Sequence, residues 1–106
     1  MWLFTKYGFF SAVENFNDKN LIHVRANFSG DLERLCAAYG VKPNVKQIPG
    51  SDYTFRMDFT RETWGEIVKE EALAIDYPNF KNAVHDGTKR DGAYLKVFFT
   101  MQDAQD

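Results

Sequence analysis

Apolar residues recur at every second position in two stretches of this chain and at helical spacing in two others. Over residues 21–28, LIHVRANF, the set Ile22, Val24, Ala26 and Phe28 alternates with His23, Arg25 and Asn27. Over residues 52–60, DYTFRMDFT, Tyr53, Phe55, Met57 and Phe59 alternate with Asp52, Thr54, Arg56 and Asp58. Successive strand side chains leave opposite faces, so each stretch predicts a β-strand with one buried and one polar face. Residues 2–13 are apolar on both faces, with Thr5, Lys6 and Ser11 the clear polar interruptions. They predict a first strand whose buried face the pattern leaves open. The polar segment ENFNDKN, residues 14–20, joins that strand to the second as a hairpin.

The helical spacing lies in SGDLERLCAAYG and in the segment after Thr60. In the first, Leu32, Leu35, Cys36 and Tyr39 form a stripe, Ser29 stands where a cap is wanted, Asp31 and Glu33 suit the positive end, and Gly40 stops the helix. In the second, Thr60 caps, Glu62 sits in the first turn, and Trp64, Ile67, Val68, Ala72 and Ile75 mark the inner side. Between these helices, VKPNVKQIPGS reads as a loop punctuated by Pro43, Pro49 and Gly50. DYPNFKNAVHDG predicts a short third helix anchored by Phe80 and Val84, with Pro78 at an early position, and GTKRDG a loop after it. The last segment, AYLKVFFTMQDA, is rich in β-formers, but its apolar set runs to Met101 without alternating and is read as helix, with a fourth strand as the alternative. The expected order is β-β-α-β-α-α. This is one α+β domain over residues 1–106, a two-layer sandwich with helices on one face of a small antiparallel sheet.

Composition narrows the function classes. The chain has 106 residues, 44% of them hydrophobic and 16% aromatic, enough for a real core. With 13 basic and 15 acidic residues the net charge is −2, which argues against a dedicated duplex-DNA binder. The single cysteine, Cys36, lies on a helix stripe and reads as a small buried hydrophobe in a reducing compartment. The first residues lack the pattern of a signal peptide, and no stretch is apolar enough to span a bilayer, so a soluble cytoplasmic protein without a membrane partner is expected.

Three chemistries compete. The polar strand faces carry His23, Arg25, Asn27, Arg56 and Asp58, and the run TKYGFFSAV adds aromatics. Tyr7, Phe9, Arg25 and Arg56 together would stack and pair with single-stranded RNA. His85 beside Asp86, with Asp91 nearby, is the one arrangement that could serve a small metal-dependent hydrolase. Two histidines and no nucleophile, phosphate-loop or metal-ligand motif make ordinary polar roles the expectation, so no catalytic residue, metal or cofactor is assigned. The third set, Tyr77, Asn79, Lys81, Asn82 and His85, is a dense polar and aromatic group around a helix start, suited to contact with a partner protein.

The segments MWLFTKYGFFSAV, SGDLERL, IDYPNFKNAV and RDGAYLKVFFTMQ, in that order, resemble a family of small uncharacterised bacterial proteins sharing a DY-x-NFKNAV-like segment. The resemblance implies a bacterial or phage origin and a helical last segment, and no activity comes with it. The leading expectation is a non-enzymatic binding or regulatory module acting through a protein partner, as an inhibitor or defence-related factor does. Self-association as a homodimer through the aromatic first strand accompanies it.

Overall fold

The computed structural model describes every residue, Met1–Asp106. The chain forms two compact units, Met1–Ile75 and Asp76–Asp106. No helix is long and apolar enough to cross a membrane.

The first unit contains strands β1 (Trp2–Thr5), β2 (Gly8–Glu14) and β3 (Leu21–Ala26), helix α1 (Asp31–Ala38), strands β4 (Lys46–Gln47) and β5 (Phe55–Thr60), and helix α2 (Arg61–Leu73). Its five strands make one antiparallel sheet in the order β1-β2-β3-β5-β4. The α+β class stands as read from the pattern, with five strands where three were expected.

The two extra strands have distinct causes. Residues 2–13 do not run as one strand but fold back at Lys6-Tyr7, so that Trp2 pairs with Ser11 and Thr5 with Gly8. Thr5 holds this turn: its hydroxyl accepts from the Tyr7 amide at 3.0 Å and donates to the Gly8 carbonyl at 3.3 Å. Gly8 is required, because its φ of +148° is one that side chains rarely adopt and a Cβ there would lie 2.2 Å from the Asp31 carboxylate. The other addition is Lys46–Gln47, inside the expected loop. Two residues are too short to show alternation, yet they pair with Arg56 and Phe55.

One face of the sheet is covered by α1 and α2. Phe10, Ala12, Val24, Ala26, Met57 and Phe59 from the strands meet Leu32, Leu35, Cys36, Trp64 and Ile67 from the helices in one buried cluster. The alternating patterns over 21–28 and 52–60 thus put their apolar sets inward within the strands, while Phe28, which follows β3, and Tyr53, which precedes β5, stand outside the cluster. Ser29 does not cap α1. Gly30 takes that position at φ +88° with no side-chain cap. Thr60 does cap α2, accepting from the Thr63 amide at 3.1 Å. Ala72 and Ile75, expected on the inner side of α2, are exposed, and Ile75 lies beyond the end of the helix.

The second unit holds α3 (Phe80–Ala83) and α4 (Lys89–Asp103). Asn79 caps α3 by accepting from the Asn82 amide, and Thr88 caps α4 by accepting from the Arg90 amide, both at 3.2 Å. The last segment is helical, as its unbroken apolar set indicated.

Candidate functional site

The sheet face opposite α1 and α2 gathers most of the polar strand residues. Directly opposed residues of neighbouring strands share a face. Tracing the register from Ser11 therefore gives a single row across all five strands: Trp2 on β1, Ser11 on β2, Arg25 on β3, Arg56 on β5 and Lys46 on β4. Three cations stand side by side in this row. Like charges in directly opposed positions repel, and nothing in packing the helical layer calls for them.

Their partners are unequal. Arg56 Nη2 donates to Asp52 Oδ1 at 2.9 Å and its Nε donates to the Tyr53 carbonyl at 3.0 Å. Arg25 Nη2 donates to the buried Ser11 hydroxyl at 2.8 Å, and the guanidinium lies 4.5 Å from the centre of the Tyr53 ring. Its Nε is buried with no hydrogen-bond partner. The next row holds His23 and Asp58, joined Nδ1 to Oδ1 at 2.9 Å. Burial alone would raise the Asp58 pKa. Hydrogen bonds from Asn15 and His23, with the positive charges of His23 and Lys46, outweigh it and hold the carboxyl below its ordinary value.

Of the RNA-binding set, Phe9, Arg25 and Arg56 share this face, and Tyr7 does not. Tyr7 sits in the β1–β2 turn, packed against the core with its ring 6.4 Å edge-on to Tyr39. The aromatic that sequence reasoning missed is Trp2, 70% exposed at the end of the row and edge-on to Phe9 at 5.9 Å. Tyr53 was missed because its place in the alternation assigned it inward. Lys46 was missed because the stretch between Pro43 and Pro49 carried no strand signal.

The set Tyr77, Asn79, Lys81, Asn82 and His85 lies in the second unit, where most members have structural partners. Tyr77 packs on Phe80 at 5.7 Å between ring centres, and Phe80 on Tyr94 at 6.1 Å. Asn79 is the cap just described. Lys81 Nζ lies 4.1 Å from the centre of the Phe98 ring. His85 Nδ1 meets Asp91 Oδ2 at 2.9 Å. The neighbouring Asp86 is occupied otherwise. Its carboxylate accepts from the Thr88 hydroxyl and amide, which together hold its pKa low. Asp91 accepts from the amides of Asp86 and Gly87. The His85–Asp86 segment is thereby a hydrogen-bonded entry to α4, and neither there nor elsewhere do three or more His, Cys, Asp or Glu side chains form a group that could hold a metal ion.

The feature of the second unit that the pattern did not announce is the exposure of α4. Tyr94 is its one buried residue, while Leu95, Val97, Phe98, Phe99 and Met101 are 41% to 67% exposed. At about 100° per residue these apolar side chains sweep more than half the helix circumference. Lys89, Lys96, Thr100 and Asp103 occupy the remainder.

Two titratable groups at the core have raised pKa values. Burial, and then the charge of Glu33, push the Cys36 thiol up, and it contacts Met57 Sδ at 3.5 Å. Burial likewise raises the Tyr39 phenol, which donates to Glu71. No family model, curated protein or solved structure matches the chain.

Proposed function

We propose that this protein is a non-enzymatic binding module that acts by docking a partner protein on helix α4. The observation that carries the reading is the apolar arc of α4, from Leu95 to Met101, left in contact with water. Contiguous exposed apolar surface of this kind marks sites of association. Aromatic side chains at such a surface make the largest contributions to binding, and Phe98 and Phe99 stand at its middle. The polar arc mixes Lys89 and Lys96 with Asp103, and the chain is net acidic, which favours a protein surface over an anionic lipid one. Tyr77, Lys81 and His85 border the same unit and supply a polar rim, Lys81 resting on Phe98. The inhibitory or defence-related role and the cytoplasmic setting expected of such a module belong to this reading.

The test is affinity capture from nuclease-treated cell lysate by the tagged chain, beside the Leu95→Asp/Phe99→Asp variant. A discrete protein retained by the native chain and lost from the variant, with the circular dichroism of the two alike, is the expected result. Equal recovery by both, or recovery of nucleic acid alone from an untreated lysate, refutes the reading.

A further inference from the structure

The cation row lies in the first unit, and its arrangement asks for an occupant. Arg25, Arg56 and Lys46 are aligned by register on three adjacent strands. With strands about 4.8 Å apart, the row from Arg25 to Lys46 spans about 10 Å, and Trp2 stands about 10 Å from Arg25 on the other side. Asp52 pairs with Arg56 through a side chain that is 69% exposed, and Asp58 in the next row feels the charge of Lys46, so two carboxylates stand against the three cations and the His23 beside Asp58. Arg25 has a hydroxyl and an aromatic face for partners, and its buried Nε donates to nothing.

We propose that this row binds single-stranded nucleic acid, with backbone phosphates on Arg25, Arg56 and Lys46 and an unpaired base stacked on Trp2. Phosphate suits the cations because a guanidinium presents donors in a fork that matches its oxygens. A base suits the end of the row because Trp2 exposes its ring on the same face, braced by the edge of Phe9. An exposed ring at the end of the row stacks on a base only where that base is unpaired, and a chain of net charge −2 lacks the broad positive field of a duplex binder, so the strand it reads is single. Asp52 acts as an internal competitor on Arg56 that an incoming phosphate displaces. Tyr53 roofs Arg25 and keeps its charge in a setting of reduced dielectric, where pairing with an anion is stronger than in water.

The probe is a short fluorescein-labelled oligouridine, titrated against the full chain by fluorescence anisotropy over a series of salt concentrations. Three phosphate contacts predict a slope of log K against log salt of about −2, since each contributes about 0.7 on a single strand. Arg25→Gln and Lys46→Gln each reduce that slope by about 0.7. Trp2→Ala weakens binding about 10-fold without changing the slope, as loss of one stacked base requires. Asp52→Asn tightens binding by removing the competitor. Lys46, Asp52 and Trp2 are exposed, so these variants keep the test open if Arg25→Gln fails to fold. No binding at low salt overturns the proposal, as does binding indifferent to Lys46→Gln and Trp2→Ala. Competition by a polyglutamate peptide as strong as that by unlabelled oligouridine, with Trp2→Ala neutral, overturns it in favour of an acidic protein segment.

Discussion

The two units solve the problem of burying apolar surface in opposite ways. In Met1–Ile75 the strands and helices α1 and α2 together enclose a cluster in which Phe10, Val24, Ala26, Leu35 and Cys36 have no exposed surface. In Asp76–Asp106 Tyr94 alone reaches burial, and the apolar side chains of α4 face water. The first unit is thus a body with its own core, and its polar strand residues lie on the face the core leaves over. The second is largely surface, and its sequence spends aromatic residues where a self-contained helix would place charge.

The largest expected effects test this asymmetry directly. Phe10→Ala removes a fully buried ring from the centre of β2 and should cost about 3–5 kcal/mol, read as a lower urea midpoint. Phe99→Ala, a change of the same size at an exposed position, should fall within about 0.5 kcal/mol. Equal costs would mean that α4 packs in solution against something the first unit depends on. Gly8→Ala comes next. A methyl there meets the Asp31 carboxylate at a backbone conformation unsuited to alanine, and a loss of roughly 2 kcal/mol is expected.

Hydrogen exchange sharpens the same contrast without mutation. Amides of β2, β3 and β5 lie in the middle of the sheet and should exchange only on global opening. Those of α3 and α4 should exchange through a lower-energy local opening, because little apolar surface must be exposed to reach it. Adding the partner captured through α4 should slow the second set alone.

What the sequence made legible follows the same division. The strands at 21–28 and 52–60 could be read because one of their faces is buried by helices and the other is not, which is the condition for clean alternation. The fold-back at Lys6-Tyr7 could not. Leu3 and Phe10 face the helical layer while Phe4 and Phe9 stack 4.5 Å apart on the other side, so both arms of the hairpin are apolar on both faces. Only Gly8 hinted at a turn. The capping of α2 by Thr60 was legible because a hydroxyl before an apolar stripe acts locally, whereas Ser29 was passed over for Gly30, whose left-handed backbone sets the entry to α1. Candidate site residues were found strand by strand. Their alignment in one row depends on register, which no single strand encodes.

Helix caps supply smaller effects of similar origin in both units. Thr60→Ala should cost about 1 kcal/mol of global stability, because α2 is part of the core. Thr88→Ala removes an equivalent bond from α4, yet the urea midpoint should hardly move if the first unit unfolds on its own core, because α4 adds no residue to that buried cluster. The two variants separate if far-ultraviolet dichroism and tryptophan emission are followed together. The only tryptophans, Trp2 and Trp64, both lie in the first unit.

The smallest expected effect is electrostatic and is visible only in acid. Asp58 in the first unit and Asp86 in the second both have carboxyl pKa values below the ordinary one. A carboxyl lowered in the folded state adds stability above its unfolded value, about 3.9, and loses it as pH falls through the lower folded value. Asp58→Asn should therefore flatten the acid limb of the stability profile below about pH 4, by no more than roughly 0.5 kcal/mol because the group is well exposed to solvent. Followed by tryptophan emission, Asp58→Asn should move the acid midpoint and Asp86→Asn should leave it in place, since Asp86 supports only the entry to α4. A shift with Asp86→Asn would show that the two units unfold as one, and the contrast between a body with its own core and a helix that leaves its apolar side chains exposed would then fail.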